Sequence, residues 1–220
     1  MPKLAGLFDS FDNLDQILIE DIARWLKSPP QNISLENYLA NRILYPQIIP
    51  TTELDMKIDL AILREAIRLN GPTIRKNSNA MLGENPFLNV TLRKLLIPAK
   101  FLSYVPNLVS LTWVFVDALL LNRQKMDWFS DLWTVVLVGQ TDQVVGSIIL
   151  PQFSNKNGLM ELILDGKAFK VRSGSLMVIP CSKNRCRLAF KSSQGKILGK
   201  EHFELEIYGG DLGVMVDGRT

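Results

Sequence analysis

LWTVVLVGQTDQVVGSIIL, residues 132–150, decides the fold, because two apolar β-branched runs flank a turn signal at Gly139–Asp142 and neither shows helical spacing. Val, Ile and Thr suit a pleated surface and are crowded at χ1 in a helix, so both runs are expected to be strands. The period of two continues outward. LMELILD, AFKVRSG, SLMVIP, CRLAFKS, FELEIYG and LGVMVDG follow as short alternating or β-branched runs. Turns are expected at Asn155–Gly158, Asp165–Gly166, Ser182–Asn184 and Gly209–Gly210, where Gly, Asn, Asp and Ser tolerate the required backbone angles. Glycines in YGGDLG also fit a β-bulge between paired strands. Residues 129–220 are therefore expected to form an antiparallel β-sandwich or barrel.

Upstream of residue 128 the period changes. In NLDQILIEDIARWLKSPP, Leu14, Ile17, Leu18, Asp21, Ile22 and Trp25 recur every three or four positions, which predicts one helix stopped by Pro29 and Pro30. A short helix through LENYLANRIL follows, with Ser34 as its cap, and Pro46 and Pro50 then force an extended connector. Thr52 with Asp55 makes a variant capping box for a long helix ending at Gly71. Residues 71–87 read as an exposed loop, and LNVTLRKLLI, 88–97, as a strand. The apolar stretch 101–121 is long enough to raise a membrane span, but Pro106, Asn107 and Asp117 interrupt it, so a buried helix is expected. The chain thus reads as α+β, with a mostly helical domain over 1–128 and a β domain over 129–220.

Composition excludes several classes. Of 220 residues 47% are apolar and 8% aromatic, enough for a core. The balance of 25 basic against 22 acidic residues gives a net charge of +3, too small to argue for nucleic acid without a local cluster. No secretory signal is visible at Met1–Ser10, so a cytoplasmic location is expected. Cys181 and Cys186 face each other across an expected hairpin; geometry permits a bridge, and a reducing compartment favours free thiols. A structural zinc site needs four N or S ligands, and the single histidine, His202, lies far from the cysteines, so no metal or cofactor is expected.

Catalytic constellations are scarce. His202 and Glu204 share one strand face, Asp211 and Asp217 flank LGVMV, and Glu161 and Asp165 flank LIL, but strand-end carboxylates usually serve turns. No G-x-S-x-G motif occurs. Arg64, Arg68, Arg75 and Lys76 form a candidate basic patch at the end of the long helix. A second set, Lys183, Arg185, Arg187, Lys191, Lys196 and Lys200, spreads through the β domain with Phe190 and Tyr208 as the nearby aromatics.

ENYLANRILYPQIIPTTELDMKIDLAILREAIRLN, LLIPAK followed by VSLTWVFVDALLL, GSLMVIP and GGDLGVMVDGR, taken in order from residue 36 to 219, resemble the carboxy-terminal half of the glutamate mutase accessory ATPase (MutL) family. The resemblance implies an actin-like ATPase half-lobe, in which a strand runs into a glycine-rich turn that approaches phosphate closely. At the corresponding place stand Pro98, Ala99 and Lys100. Proline offers no N–H and fixes φ, so the resemblance implies a degenerate loop and no tight binding of ATP with magnesium. A non-catalytic interaction or scaffold protein, a subunit of a larger complex or an oligomer, is the expected function. It would dock through exposed edges of the β domain or, if its outer face is not covered within the chain, the apolar helix at 105–121. The alternatives are an accessory ATPase or chaperone of a cobalamin-dependent enzyme, a nucleic-acid-binding β-barrel and a membrane-associated subunit.

Overall fold

The computed structural model describes residues 11, 13–78, 93–120 and 131–219 and has a mixed α+β architecture. Two compact units divide the chain: Met1–Asn79 with Lys100–Met126, and Ala80–Ala99 with Asp127–Thr220.

The first unit carries four helices, α1 (Ile19–Ala23), α2 (Asn32–Leu44), α3 (Glu53–Ser78) and α4 (Leu108–Leu120). The helix expected from Leu14 to Trp25 is instead a 3₁₀ turn, Leu14–Gln16, and the short α1. Leu18 between them is extended, with φ −81° and ψ 145°, so the hydrogen-bond ladder cannot run through. α2 begins at Asn32, two residues before the expected cap, and has no side-chain N-cap bond. α3 opens on the predicted box: the Asp55 N–H donates to Thr52 Oγ1 at 3.0 Å and the Thr52 N–H to Asp55 Oδ2 at 3.1 Å. It buries Ile58, Ala61, Ile62, Leu63, Ala66 and Ile67 on one stripe, each large side chain contributing about 1.5–3 kcal/mol. The helix continues through Gly71 and Pro72 to Ser78, because propagation from a long nucleated helix outweighs the local propensity. The expected loop at 71–87 is therefore helical to Ser78, and its remainder lies outside the described residues.

Asn107 caps α4 by accepting the Ser110 N–H at 2.8 Å. At 13 residues α4 is about 20 Å long, against roughly 30 Å of hydrocarbon, and no helix among the described residues is long and apolar enough to cross a membrane. From Leu108 to Ala118 every residue of α4 is buried or half-buried.

The second unit is built on a seven-stranded sheet. Its strands are β1 (Arg93–Pro98), β2 (Leu132–Val138), β3 (Gln143–Ile149), β5 (Leu159–Leu164), β6 (Lys167–Arg172), β7 (Leu176–Lys191) and β9 (His202–Asp217), in the order β1-β2-β3-β9-β7-β5-β6. β4 (Gln152–Phe153) and β8 (Gly195–Lys196) form a separate ribbon. The sheet is mixed, not purely antiparallel: β1 with β2 and β3 with β9 are parallel pairs. β1, expected with the helices, belongs to this sheet, and residues 88–92 of the expected strand lie outside the described residues. Thr134–Leu137 and Val145–Ile149 are continuously buried, the signature of strands covered on both faces.

Two expected turns are not turns. β7 runs unbroken through Ser182–Asn184 and β9 through Gly209–Gly210. Cys181 pairs with Gly210 and Arg185 with Tyr208, so three residues of β7 face Gly209 alone in a wide bulge. A Cβ on Gly209 would lie 2.2 Å from the Lys183 carbonyl oxygen and 2.5 Å from that of Cys181. Gly213, at φ 72°, brings its backbone equally close to Ile179. Glycines that look like chain reversals are close backbone approaches between long strands.

Candidate interaction surface

The connector between α2 and α3, expected to be extended, contains a turn in which the Ile48 N–H donates to the Tyr45 carbonyl at 3.1 Å, and apolar side chains on it and on the flanking helix ends are exposed. Ile43, Leu44, Tyr45, Ile48, Ile49 and Leu54 are all exposed, six of the eleven exposed large hydrophobic residues described in the chain. Leu44 and Ile49 are each 68% exposed. Scattered single apolar residues are ordinary on a surface, but this density within twelve positions is not. No charged residue occurs from Ile43 to Thr52.

A buried ion pair fixes the backbone of this connector. Arg42, in the last turn of α2, is 3% exposed, and so is Asp59 of α3. Arg42 Nε donates to Asp59 Oδ1 at 2.8 Å and Nη2 to Oδ2 at 2.6 Å, a fork on both carboxylate oxygens. Nη1 donates to the Ile48 carbonyl oxygen, which ties the guanidinium to the apolar segment itself. The Tyr38 hydroxyl accepts from Arg42 Nη2 at 2.9 Å and lies 3.0 Å from Asp59 Oδ1. Burial raises the Tyr38 hydroxyl pKa above its ordinary value.

Burial also pushes the Asp59 carboxyl up to about 6 from its ordinary 3.8, outweighing the attraction of Arg42. The folded chain therefore holds this proton more tightly than the unfolded chain does. The group's stabilising contribution is full below pH 3.8 and is lost as pH rises through about 6. A carbon-13 titration of the Asp59 carboxyl is expected to show its midpoint near 6; a midpoint below 4 would mean that Arg42 dominates.

Arg64 and Arg68 of the candidate basic patch have partners. Arg64 Nε pairs with Asp117 Oδ2 of α4 at 2.9 Å, and its guanidinium lies 5.1 Å from the Trp25 ring centroid. Arg68 Nε pairs with Glu65 Oε2 at 2.5 Å and Nη2 with Asp21 at 3.0 Å. Glu65, fully buried, also accepts from Arg24 Nη2 at 2.5 Å and from the Trp25 indole N–H at 2.7 Å. Arg24 returns to Asp21 at 3.2 Å, closing a ring of alternating charges that locks α1 onto α3. Arg75 and Lys76 lie on the last turns of α3, and their side chains are outside the described residues. Arg64 and Arg68 thus balance buried carboxylates and present no joint positive face.

The other sequence candidates are similarly committed. Pro98 ends β1 opposite Val138, and Ala99 opens a 3₁₀ turn, Ala99–Ser103; exposed Lys100 places Nζ 5.4 Å from the Phe101 ring centroid. In the β unit, Lys183 pairs with Asp165, Arg185 with Glu206, Arg187 with Glu204 and Lys196 with Glu201. Phe190 is buried edge-on against Phe203, so it offers no face on which a base could stack. His202 is exposed and pairs across the strands with Lys191, while its face-mate Glu204 is taken by Arg187. Asp217, ending β9, accepts from the Arg219 backbone N–H and guanidinium, and Asp211, within β9, from Gln143.

Cys181 and Cys186 are joined as a disulfide, within one strand rather than across a hairpin. Residues five apart on a regular strand point to opposite faces; the bulge is what lets both sulfurs enter the same core. Sequence reasoning missed the exposed connector, whose signal was present as ten uncharged residues between two prolines and their flanks. No protein-family model, curated protein or solved structure matches this chain.

Proposed function

We propose that the protein is a non-catalytic interaction subunit that docks another polypeptide through the apolar connector at residues 43–54. The observation that carries this reading is the concentration of exposed hydrophobic side chains there, on a backbone pinned by the buried Arg42–Asp59 pair. A preformed apolar surface loses less conformational entropy on binding than a free loop would. Ten residues without charge suit an apolar, uncharged partner face, and a second copy of the chain offers that same face without like-charge repulsion. Self-association is therefore the first occupant to test. The likeness to an actin-like half-lobe fits a binding role for the same reason as before: Pro98 offers no amide to phosphate.

The double variant Leu44→Asp, Ile49→Asp tests the proposal, since it adds charge at the two most exposed apolar positions without touching the core. Light scattering over a concentration series is expected to give a mass above that of one chain for the parent and a single-chain mass for the variant. Equal masses for parent and variant, together with an unchanged set of co-purifying proteins, would refute it.

A further inference from the structure

The disulfide has an acidic neighbour that neither sequence spacing nor the interaction surface explains. Asp165 occupies the β5–β6 turn at φ 47°, followed by Gly166 at φ 82°. Its backbone N–H donates to the Arg187 carbonyl at 2.9 Å, and its Oδ1 accepts the Arg187 N–H at 2.9 Å, so the carboxylate is oriented by β7 from both sides. A carboxylate oxygen of Asp165 and the Sγ atoms of Cys181 and Cys186 all lie within 4.8 Å of one another. The sulfurs are buried and the carboxylate is exposed, which leaves one open side toward solvent. On that side the Lys183 ammonium sits 2.7 Å from Asp165 Oδ2, a cation already held beside the carboxylate.

We infer that Cys181, Cys186 and Asp165 form a redox-gated site for a thiophilic divalent cation of the zinc class, closed as a disulfide and opened by reduction. A dithiol reductant supplies two electrons and two protons to the sulfurs and leaves as its own disulfide; cation binding then releases both thiol protons to solvent. Two thiolates and one carboxylate give three ligands, with water at the open fourth position. Donors around tetrahedral zinc stand roughly 3.3–3.8 Å apart, so the two sulfurs must part from bonding distance on reduction while the Asp165 carboxylate, within 4.8 Å of both, draws in. The Cα atoms of the cysteines are 7.2 Å apart, beyond the range of roughly 4.4–6.8 Å usual for a direct S–S bond and suited to a bridge lengthened by an inserted ion. Thiolates select zinc over magnesium or calcium. Lys183, with a 69% exposed side chain, is free to swing away when the ion enters.

Cobalt(II) titration of the full chain, reduced with a phosphine under anaerobic conditions, tests the site. Stoichiometric binding with a thiolate-to-cobalt charge-transfer band is expected, reversed by zinc and absent from the oxidised protein. Asp165→Asn is expected to weaken binding by about tenfold or more, and Lys183→Ala to strengthen it by removing the competing ammonium. A merely structural Asp165 would leave cobalt affinity unmoved, and a merely structural Lys183 would not tighten it. The inference fails if the reduced protein binds no cobalt, if reduction unfolds it by circular dichroism, if Cys181→Ser gives the same band and affinity, or if Asp165→Asn binds as tightly as the parent.

Discussion

Glu65→Ala is expected to lower the unfolding free energy by about 3–5 kcal/mol, more than any single large-to-small change on the surface of the helical unit. Glu65 is fully buried and is the acceptor for Arg24, Arg68 and the Trp25 indole. Removing it strands those donors, and Asp21 alone remains to balance two guanidinium groups. The cost comes from losing a fully buried side chain and leaving a half-buried indole N–H and two part-exposed guanidinium groups without their shared acceptor, not from the Coulomb energy of the pairs themselves. Glu65→Gln keeps one acceptor oxygen in place and should lose less. Denaturant melts of both variants, followed by indole fluorescence, measure the difference. A loss below about 1 kcal/mol for the alanine variant would show that water replaces the carboxylate and that the ring of charges holds little.

Asp59→Ala carries a comparable expected loss, about 3–5 kcal/mol, because Arg42 would remain buried without its carboxylate. Its second consequence concerns the interaction surface. Arg42 also holds the Ile48 carbonyl, so a guanidinium released from Asp59 no longer fixes the connector. The paired change Arg42→Met, Asp59→Leu should recover most of the stability, since well-packed apolar residues replace buried ion pairs at little cost. It should not recover docking, because Arg42→Met removes the guanidinium that holds the Ile48 carbonyl. Thermal melts and the light-scattering mass, taken together on these proteins, separate the two effects. Docking that survives in the paired variant would show that the connector needs no pinning.

Much of the fold could be read from local chemistry. The capping box at Thr52 and Asp55, the apolar stripe of α3 and the period-two strands after Leu132 follow from residues acting on their neighbours. What escaped the sequence depends on contacts between distant segments. Gly209 and Gly210 carry the signals of a turn, and only the approach of β7 to within a Cβ's reach makes them a bulge inside a long strand. Arg64 and Arg68 look like a basic cluster until Asp117, Asp21 and Glu65 are brought beside them by helix packing. The parallel pairing of β1 with β2 joins segments separated by α4, and no periodicity encodes it.

The candidate surface was half legible. Proline at 46 and 50 predicts the break between the helices, though as an extended connector and not the turn at Tyr45–Ile48, and exposure of its apolar side chains is a property of the packed unit, which leaves Leu44 and Ile49 uncovered while burying Leu35 and Leu39. The disulfide shows the same limit: spacing permits a bridge, and the bulge that aligns the sulfurs arises only when β7 and β9 pair.

Amide hydrogen exchange, compared between dilute protein and the associated form, tests the docking claim most directly. Protection gained at residues 43–54, with the Leu44→Asp, Ile49→Asp variant showing none, is the predicted result. Protection that appears elsewhere and leaves 43–54 unchanged would contradict it.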